Sequence, residues 1–134
     1  MPDIEEIERQ FEAGRRMRAL ADQASQVRGR HYIQWVPLLD ELREQGDDEQ
    51  ALPLLLEIID AAERAAQIQN LEPPPGYTER AAVIYRRQGN LAAEVAVLRR
   101  YLDACPPGRG GLGSKIGQRL RRLTIDTESA LSRL

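Results

Sequence analysis

The residues with chemical potential in this chain are few, and each has a simpler structural use. The run Gly108-Arg109-Gly110-Gly111-Leu112-Gly113 spells G-x-G-x-x-G, the spacing of a dinucleotide-binding loop. That loop works only after a β-strand, and here an apolar helical stretch and Pro106-Pro107 precede it. Gly108 to Gly113 with Ser114-Lys115 also approaches a phosphate-binding loop, but Ser114 separates the last glycine from the lysine that should follow it. What survives is a weak anion site, with Arg109 and Lys115 beside the amides that open a last helix.

Nucleophilic and metal chemistry have less to work with. His31 is the only histidine and Cys105 the only cysteine, so a zinc set cannot be built from them. Nor does either have the context of a Cys–His pair. His31 follows Arg28-Gly29-Arg30 at a helix start, where a surface or capping role is expected. Asp47, Asp48 and Glu49 form an acidic cluster without the spaced loop that calcium needs. Carboxylates at a helix N-terminus complement its dipole, which accounts for them. The expectation is a chain without catalytic residues, cofactor or metal.

Charge is the remaining resource. Residues 1–70 carry 8 basic and 15 acidic side chains, and residues 71–134 carry 11 and 6. Such asymmetry can steer a partner or draw two copies together head to tail. Arg86, Arg87, Arg99, Arg100, Arg119, Arg121 and Arg122 supply most of the basic half. Neighbouring arginines point to different sides of a helix, and of the nearby aromatics Tyr85 and Tyr101 occupy core-like positions. Nucleic acid, which asks for clustered bases and stacking rings, is therefore the alternative partner and another protein the leading one.

The elements that position these residues are helical throughout. The chain has 134 residues, 42% hydrophobic and 30% charged, which describes one folded domain rather than a disordered segment. Aromatics are only 4% and Ala, Leu, Glu, Gln and Arg dominate, a palette that loses little entropy in helix. No apolar run approaches the roughly 18–20 residues of a membrane span, so no membrane partner is expected. The acidic start MPDIEEIERQ lacks the layout of a signal peptide. A lone cysteine fits a reducing, cytoplasmic setting. All but one of the 19 basic residues are arginine, which points to a GC-rich, bacterial genome.

The first helix begins after Asp3, where Asp3 and Glu6 have capping-box spacing. Ile4, Ile7, Phe11, Gly14, Met17, Leu20 or Ala21, Ala24 and Val27 then predict one buried stripe ending at Arg28-Gly29-Arg30. A second helix spans about Tyr32–Gln45, with Pro37 tolerated in its first turn. A third runs from about Glu49 to Asn70, burying Leu52, Leu55, Ile58, Ile59, Ala62 and Ala66. Prolines 73–75 stiffen a linker. Helices follow over about Tyr77–Gln88 and Leu91–Ala104. The last starts near Ser114 and is interrupted around Thr124 to Thr127. No run alternates like a strand between hairpin turns.

An offset of 43 residues superimposes Arg43, Gln45 and Gly46 on Arg86, Gln88 and Gly89, and Asp47 on Asn90. It also places Leu55 on Leu98 and Ile59 on Leu102. With Trp35-x2-Leu38-Leu39-x2-Leu42 and Ala51-x3-Leu55, then Thr78-x2-Ala81-Ala82-x2-Tyr85, Leu98 and Pro106, the stretch 32–107 resembles two divergent tetratricopeptide (TPR) units. Thr78 replaces the pattern's aromatic, and Glu94 replaces its small alanine. The 43-residue spacing exceeds the usual ~34.

The resemblance implies an all-α superhelix of helix-turn-helix pairs: an N-terminal helix over 1–30, pairs over 31–70 and 71–107, and a C-terminal capping helix over 108–134. It also implies a protein-binding adaptor, with a homodimer as one way to complete so short a stack. The first helix of each pair lines the groove in that family. Asp40, Arg43 and Glu44, then Glu79, Val83, Arg86 and Arg87, would face the partner. Val36 and Asp40 stand where the family's carboxylate clamp uses Lys and Asn, so chaperone-tail binding is not implied. By the same resemblance Trp35 is a packing residue.

Overall fold

A computed structural model describes residues 3–108 and 114–132, of which 126–132 are described as backbone only. Among the described residues the chain is all-α apart from one minimal hairpin. Its elements are α1 (Ile4–Ala24), β1 (Gln26–Val27), β2 (Arg30–His31), a short 3-10 turn (Tyr32–Trp35), α2 (Val36–Glu44), α3 (Asp48–Gln69), α4 (Pro75–Arg87), α5 (Leu91–Ala104) and α6 (Lys115–Ser132). No helix among the described residues is long and apolar enough to cross a membrane.

The hairpin corrects the expected end of the first helix. Ser25 stops α1, its hydroxyl donating to the Ala21 carbonyl at 2.7 Å. Arg28 and Gly29 both take positive φ, at 51° and 84°, the backbone of a two-residue hairpin turn. Gly29 is thus a turn glycine and not a helix cap. A strand of two residues is too short for any alternation to reveal it. Arg28 is held in its unfavourable conformation by a bidentate pair with Glu57 of α3, and the Trp35 indole N–H donates to the Val27 carbonyl at 2.9 Å. His31 caps the turn that follows, Nδ1 accepting from the Ile33 amide. Trp35 is half-buried against the core, as a packing residue should be.

The offset-43 correspondence is exact enough to see in the backbone. Gly46 and Gly89 adopt φ 68° and 70°, and the residues after them, Asp47 and Asn90, adopt φ −88°, ψ 70° and φ −95°, ψ 77°. Asp47 N–H returns to the Leu42 carbonyl at 2.8 Å, and Asn90 N–H to Tyr85 at 2.9 Å. Each side chain then caps its own next helix, Asp47 accepting from Gln50 N–H and Asn90 from Ala93 N–H, both at 3.1 Å. Glycine serves because only it enters the left-handed region without Cβ strain.

α3 is the centre. It packs against α1, α2 and α4, and so buries Ala51, Leu54, Ala61 and Ala65 as well as most of the stripe that its spacing predicts. Leu52 is only half-buried. Exposed Pro53 lies inside this helix without ending it. α4 and α5 pack as the second pair, and α6 packs on α5. The backbone of α6 runs unbroken through Thr124 to Thr127, so the expected interruption is not there.

The stripe of α1 is the largest departure. Only Ala21 is buried; Ile4, Phe11 and Leu20 are 74%, 65% and 55% exposed, with Ile7 and Met17 also open. Periodicity reports which face of a helix is apolar, but not whether this chain supplies its cover.

Candidate partner-binding groove

α2, α4 and α6 present side chains to two adjoining clefts. The first, of about 320 Å³, lies between α2, the start of α3, and α4. Its floor is apolar: Leu39, Ala51, Leu55 and Ile84, all buried, with Val83 more open at 39%. Its rim is charged, with Arg43 from α2, Asp48 from α3, and Glu79, Arg80 and Arg87 from α4. The second, of about 440 Å³, lies between α4 and α6 and is lined by Glu79, Val83, Lys115, Ile116, Gln118, Arg119 and Arg122. Glu79, half-buried, and Val83, exposed, border both, so one ridge of α4 separates an apolar-floored pocket from a basic one.

Of the seven groove residues that the sequence suggests, Arg43, Glu79, Val83 and Arg87 come together in the first cleft. Asp40 stands beside it, its Oδ1 lying 2.8 Å from Arg80 and 3.5 Å from Arg43 as ion pairs without hydrogen-bond alignment. Glu44 is exposed and lines neither cleft. Arg86 lines neither cleft; with Leu123 and with Arg119 and Arg122, which also line the second cleft, it borders a smaller depression of about 170 Å³. Of the weak anion site, Arg109 falls outside the described residues. Lys115 joins the second cleft, while the helix start behind it is capped internally, Ser114 Oγ accepting from Gly117 N–H at 3.0 Å.

Several arginines are already committed. Arg87 forks onto Asp48 at 2.7 and 3.0 Å, and that bond raises its pKa further above the ordinary guanidinium value. Arg100 grips Glu63 and Asp60 of α3. Arg80 faces Asp40. Each pair joins the basic half of the sequence to the acidic half. Much of the charge asymmetry is therefore spent inside the fold.

Arg119 pairs with Glu94, its Nε and Nη2 donating to Oε2 at 3.0 and 2.7 Å. Glu94 is 2% exposed. α6 thus brings this buried carboxylate its counter-charge. The sequence held one usable signal for that face, since Lys115, Arg119 and Arg122 recur at three- and four-residue steps. Arg80, one residue from Glu79, carried no such signal.

The single cysteine is not activated. Burial pushes the Cys105 thiol up, while its bond with Tyr101 pulls the other way. Tyr101 itself is buried and raised, first by burial. Tyr77 stacks edge-on to Tyr32 at 5.6 Å, tying α4 to the turn before α2. Tyr101 is a core residue, and Tyr32 and Tyr77 are half-buried against the core.

No family model matches the chain, and neither a curated protein nor a solved structure matches it.

Proposed function

We propose that this chain is a non-catalytic, TPR-like adaptor of the bacterial cytoplasm, whose α2–α4–α6 face holds an extended segment of another protein. The segment carries an aliphatic anchor for the first cleft and acidic residues for the second. The observation that carries this reading is the sharing of Glu79 and Val83 by an apolar-floored cleft and a basic one. An apolar pocket supplies affinity through burial, and flanking cations select the charge of what enters. Arg122 and Lys115, with no ion pair among the described residues, are the cations best placed to do so, and Arg43, in a long, exposed ion pair with Asp40, can join them.

The test is fluorescence anisotropy with a panel of labelled extended peptides: leucine-anchored and acidic, leucine-anchored and basic, and acidic without an anchor. The first class should bind tightest, and Val83→Glu or Lys115→Glu/Arg122→Glu should weaken it about tenfold or more without moving the melting temperature. Equal binding of all three classes, or indifference to both variants, would overturn the assignment.

A second reading, association with nucleic acid, draws on the grouping of Arg86, Arg119 and Arg122 around one depression. Affinity would then fall steeply between about 50 and 200 mM salt as counterions are released. A complex insensitive to salt counts against it. The packed positions of Tyr77 and Tyr101 favour the protein partner.

A further inference from the structure

We infer that the arginine-lined depression between α4 and α6 is a phosphate site, and that the segment held in the groove carries a phosphorylated side chain there. This rests on the peptide-binding role proposed for the groove and names the charged group that enters its basic side.

The site is built from three guanidinium groups. Arg86 comes from α4 and Arg119 and Arg122 from α6, with Leu123 beside them, around about 170 Å³. Arg86 and Arg122 are exposed and make no ion pair among the described residues. Arg119 differs. Its Nε and Nη2 both donate to Glu94 Oε2, at 3.0 and 2.7 Å, and Glu94 is 2% exposed. A buried group therefore fixes the guanidinium plane, while Nη1 has no partner among the described residues. One fork held in advance loses little freedom when an anion arrives, and the two solvated arginines complete the grip.

Charge selects the anion. Three guanidinium groups less the Glu94 carboxylate leave a balance of +2, and in the adjoining cleft Lys115 and Glu79 offset each other. A phosphorylated side chain carries about 1.5–2 negative charges at pH 7 and offers three acceptor oxygens to bidentate guanidinium donors. A carboxylate brings a single charge, as does each phosphate of a nucleic acid backbone, and either leaves one cation unmatched. A nucleic acid strand also asks for a continuous basic track with stacking rings. Here the surface next along is Val83 and the apolar-floored cleft.

Position joins the site to the groove. Arg119 and Arg122 line the second cleft as well as the depression, and Val83 lines the second cleft as well as the first. Val83 and Arg86 are three residues apart on α4, a rise of about 4.5 Å. An extended chain advances roughly 3.3–3.6 Å per residue. An aliphatic anchor in the first cleft and a phosphate in the depression thus belong to one segment, a few residues apart.

Fluorescence anisotropy with the full chain tests this, using labelled extended peptides with one leucine and, about two to four residues away, phosphoserine, aspartate or serine. At about pH 7.5 the phosphoserine peptide should bind at least tenfold tighter than the aspartate one, and the preference should shrink severalfold at about pH 5.5, where the phosphate has taken up a proton. Arg86→Gln should cut the preference to about threefold or less without moving the melting temperature. Arg86 is the residue to change, because altering Arg119 would strand Glu94. An aspartate peptide that binds as tightly as the phosphoserine one overturns the phosphate site and leaves the groove assignment intact. A single-stranded oligonucleotide that displaces the phosphoserine peptide as readily as unlabelled peptide does overturns it in favour of nucleic acid. If no peptide binds, the groove assignment fails and inorganic phosphate decides alone. It should then shift the side-chain nitrogen NMR signals of Arg86 and Arg122 saturably, with the Arg122 response weakened at least threefold in Arg86→Gln; unmoved signals overturn the site.

Discussion

Removing the arginine that faces Glu94 should cost more stability than any other single surface-side change in the chain. Arg119→Met keeps most of the stem volume and deletes the guanidinium, leaving a carboxylate 2% exposed with its α6 donors gone. Breaking a buried pair from one side costs about 3–5 kcal/mol. Arg119 keeps 21% of its side chain in solvent, so water can partly replace it and the lower figure, about 3 kcal/mol, applies. Glu94→Gln keeps an acceptor for Arg119 and should cost about 1–2 kcal/mol. The double variant Glu94→Leu/Arg119→Met removes both charges and should return to within about 1 kcal/mol of the parent. Urea denaturation followed by far-UV circular dichroism measures all four corners of the cycle. Trp35 fluorescence, reporting from the far end of the stack, separates undocking of α6 from global unfolding. A loss below about 1 kcal/mol for Arg119→Met, or a double variant as damaged as the two singles combined, would refute the reasoning.

The twin turns should respond alike: Asp47→Ala and Asn90→Ala each remove a cap and should each cost about 1 kcal/mol by the same denaturation assay. Gly46→Ala and Gly89→Ala force a Cβ into the left-handed region and should each cost about 1–2 kcal/mol. Burial raises Tyr101 above its ordinary value of 10.0, so folded and unfolded chains are both protonated below pH 10 and the unfolded chain ionises first above it. The melting temperature should therefore be flat on the neutral side and fall as pH rises beyond 10, and Tyr101→Phe should shrink that fall. Iodoacetamide should label Cys105 more slowly in the native protein than in urea, since burial disfavours its thiolate.

Helix type and number were legible in the sequence because composition and 3.6-residue periodicity act locally. α5 falls at Leu91–Ala104 as its caps and spacing require, and the turns at Gly46 and Gly89 announce themselves through one glycine and one capping side chain. What was not legible depends on distance. Arg28 gives no local sign of a hairpin turn; it is held there by Glu57, far along the chain. Ile4 and Phe11 look like core residues because their spacing is a core spacing, yet among the described residues they stay exposed. In the groove, the resemblance placed Arg43, Glu79, Val83 and Arg87 near one another, but it did not set Arg86 apart from them. On the α6 side, the spacing of Lys115, Arg119 and Arg122 marks a basic helix face, but what that face meets depends on how one helix docks beside another, which no local pattern encodes.

The two matching turns have a kinetic meaning. Each closes within a few residues, and most helix contacts then run to the next helix or the one after it. A chain wired in this way searches little conformational space before contacts are rewarded, so its folding belongs with the fast helical proteins rather than the slow β ones. α1 follows the same rule, reaching past the hairpin and α2 to dock on α3. With Ala21 its only buried residue, α1 is the least anchored of these helices and should be the last to settle and the first to leave.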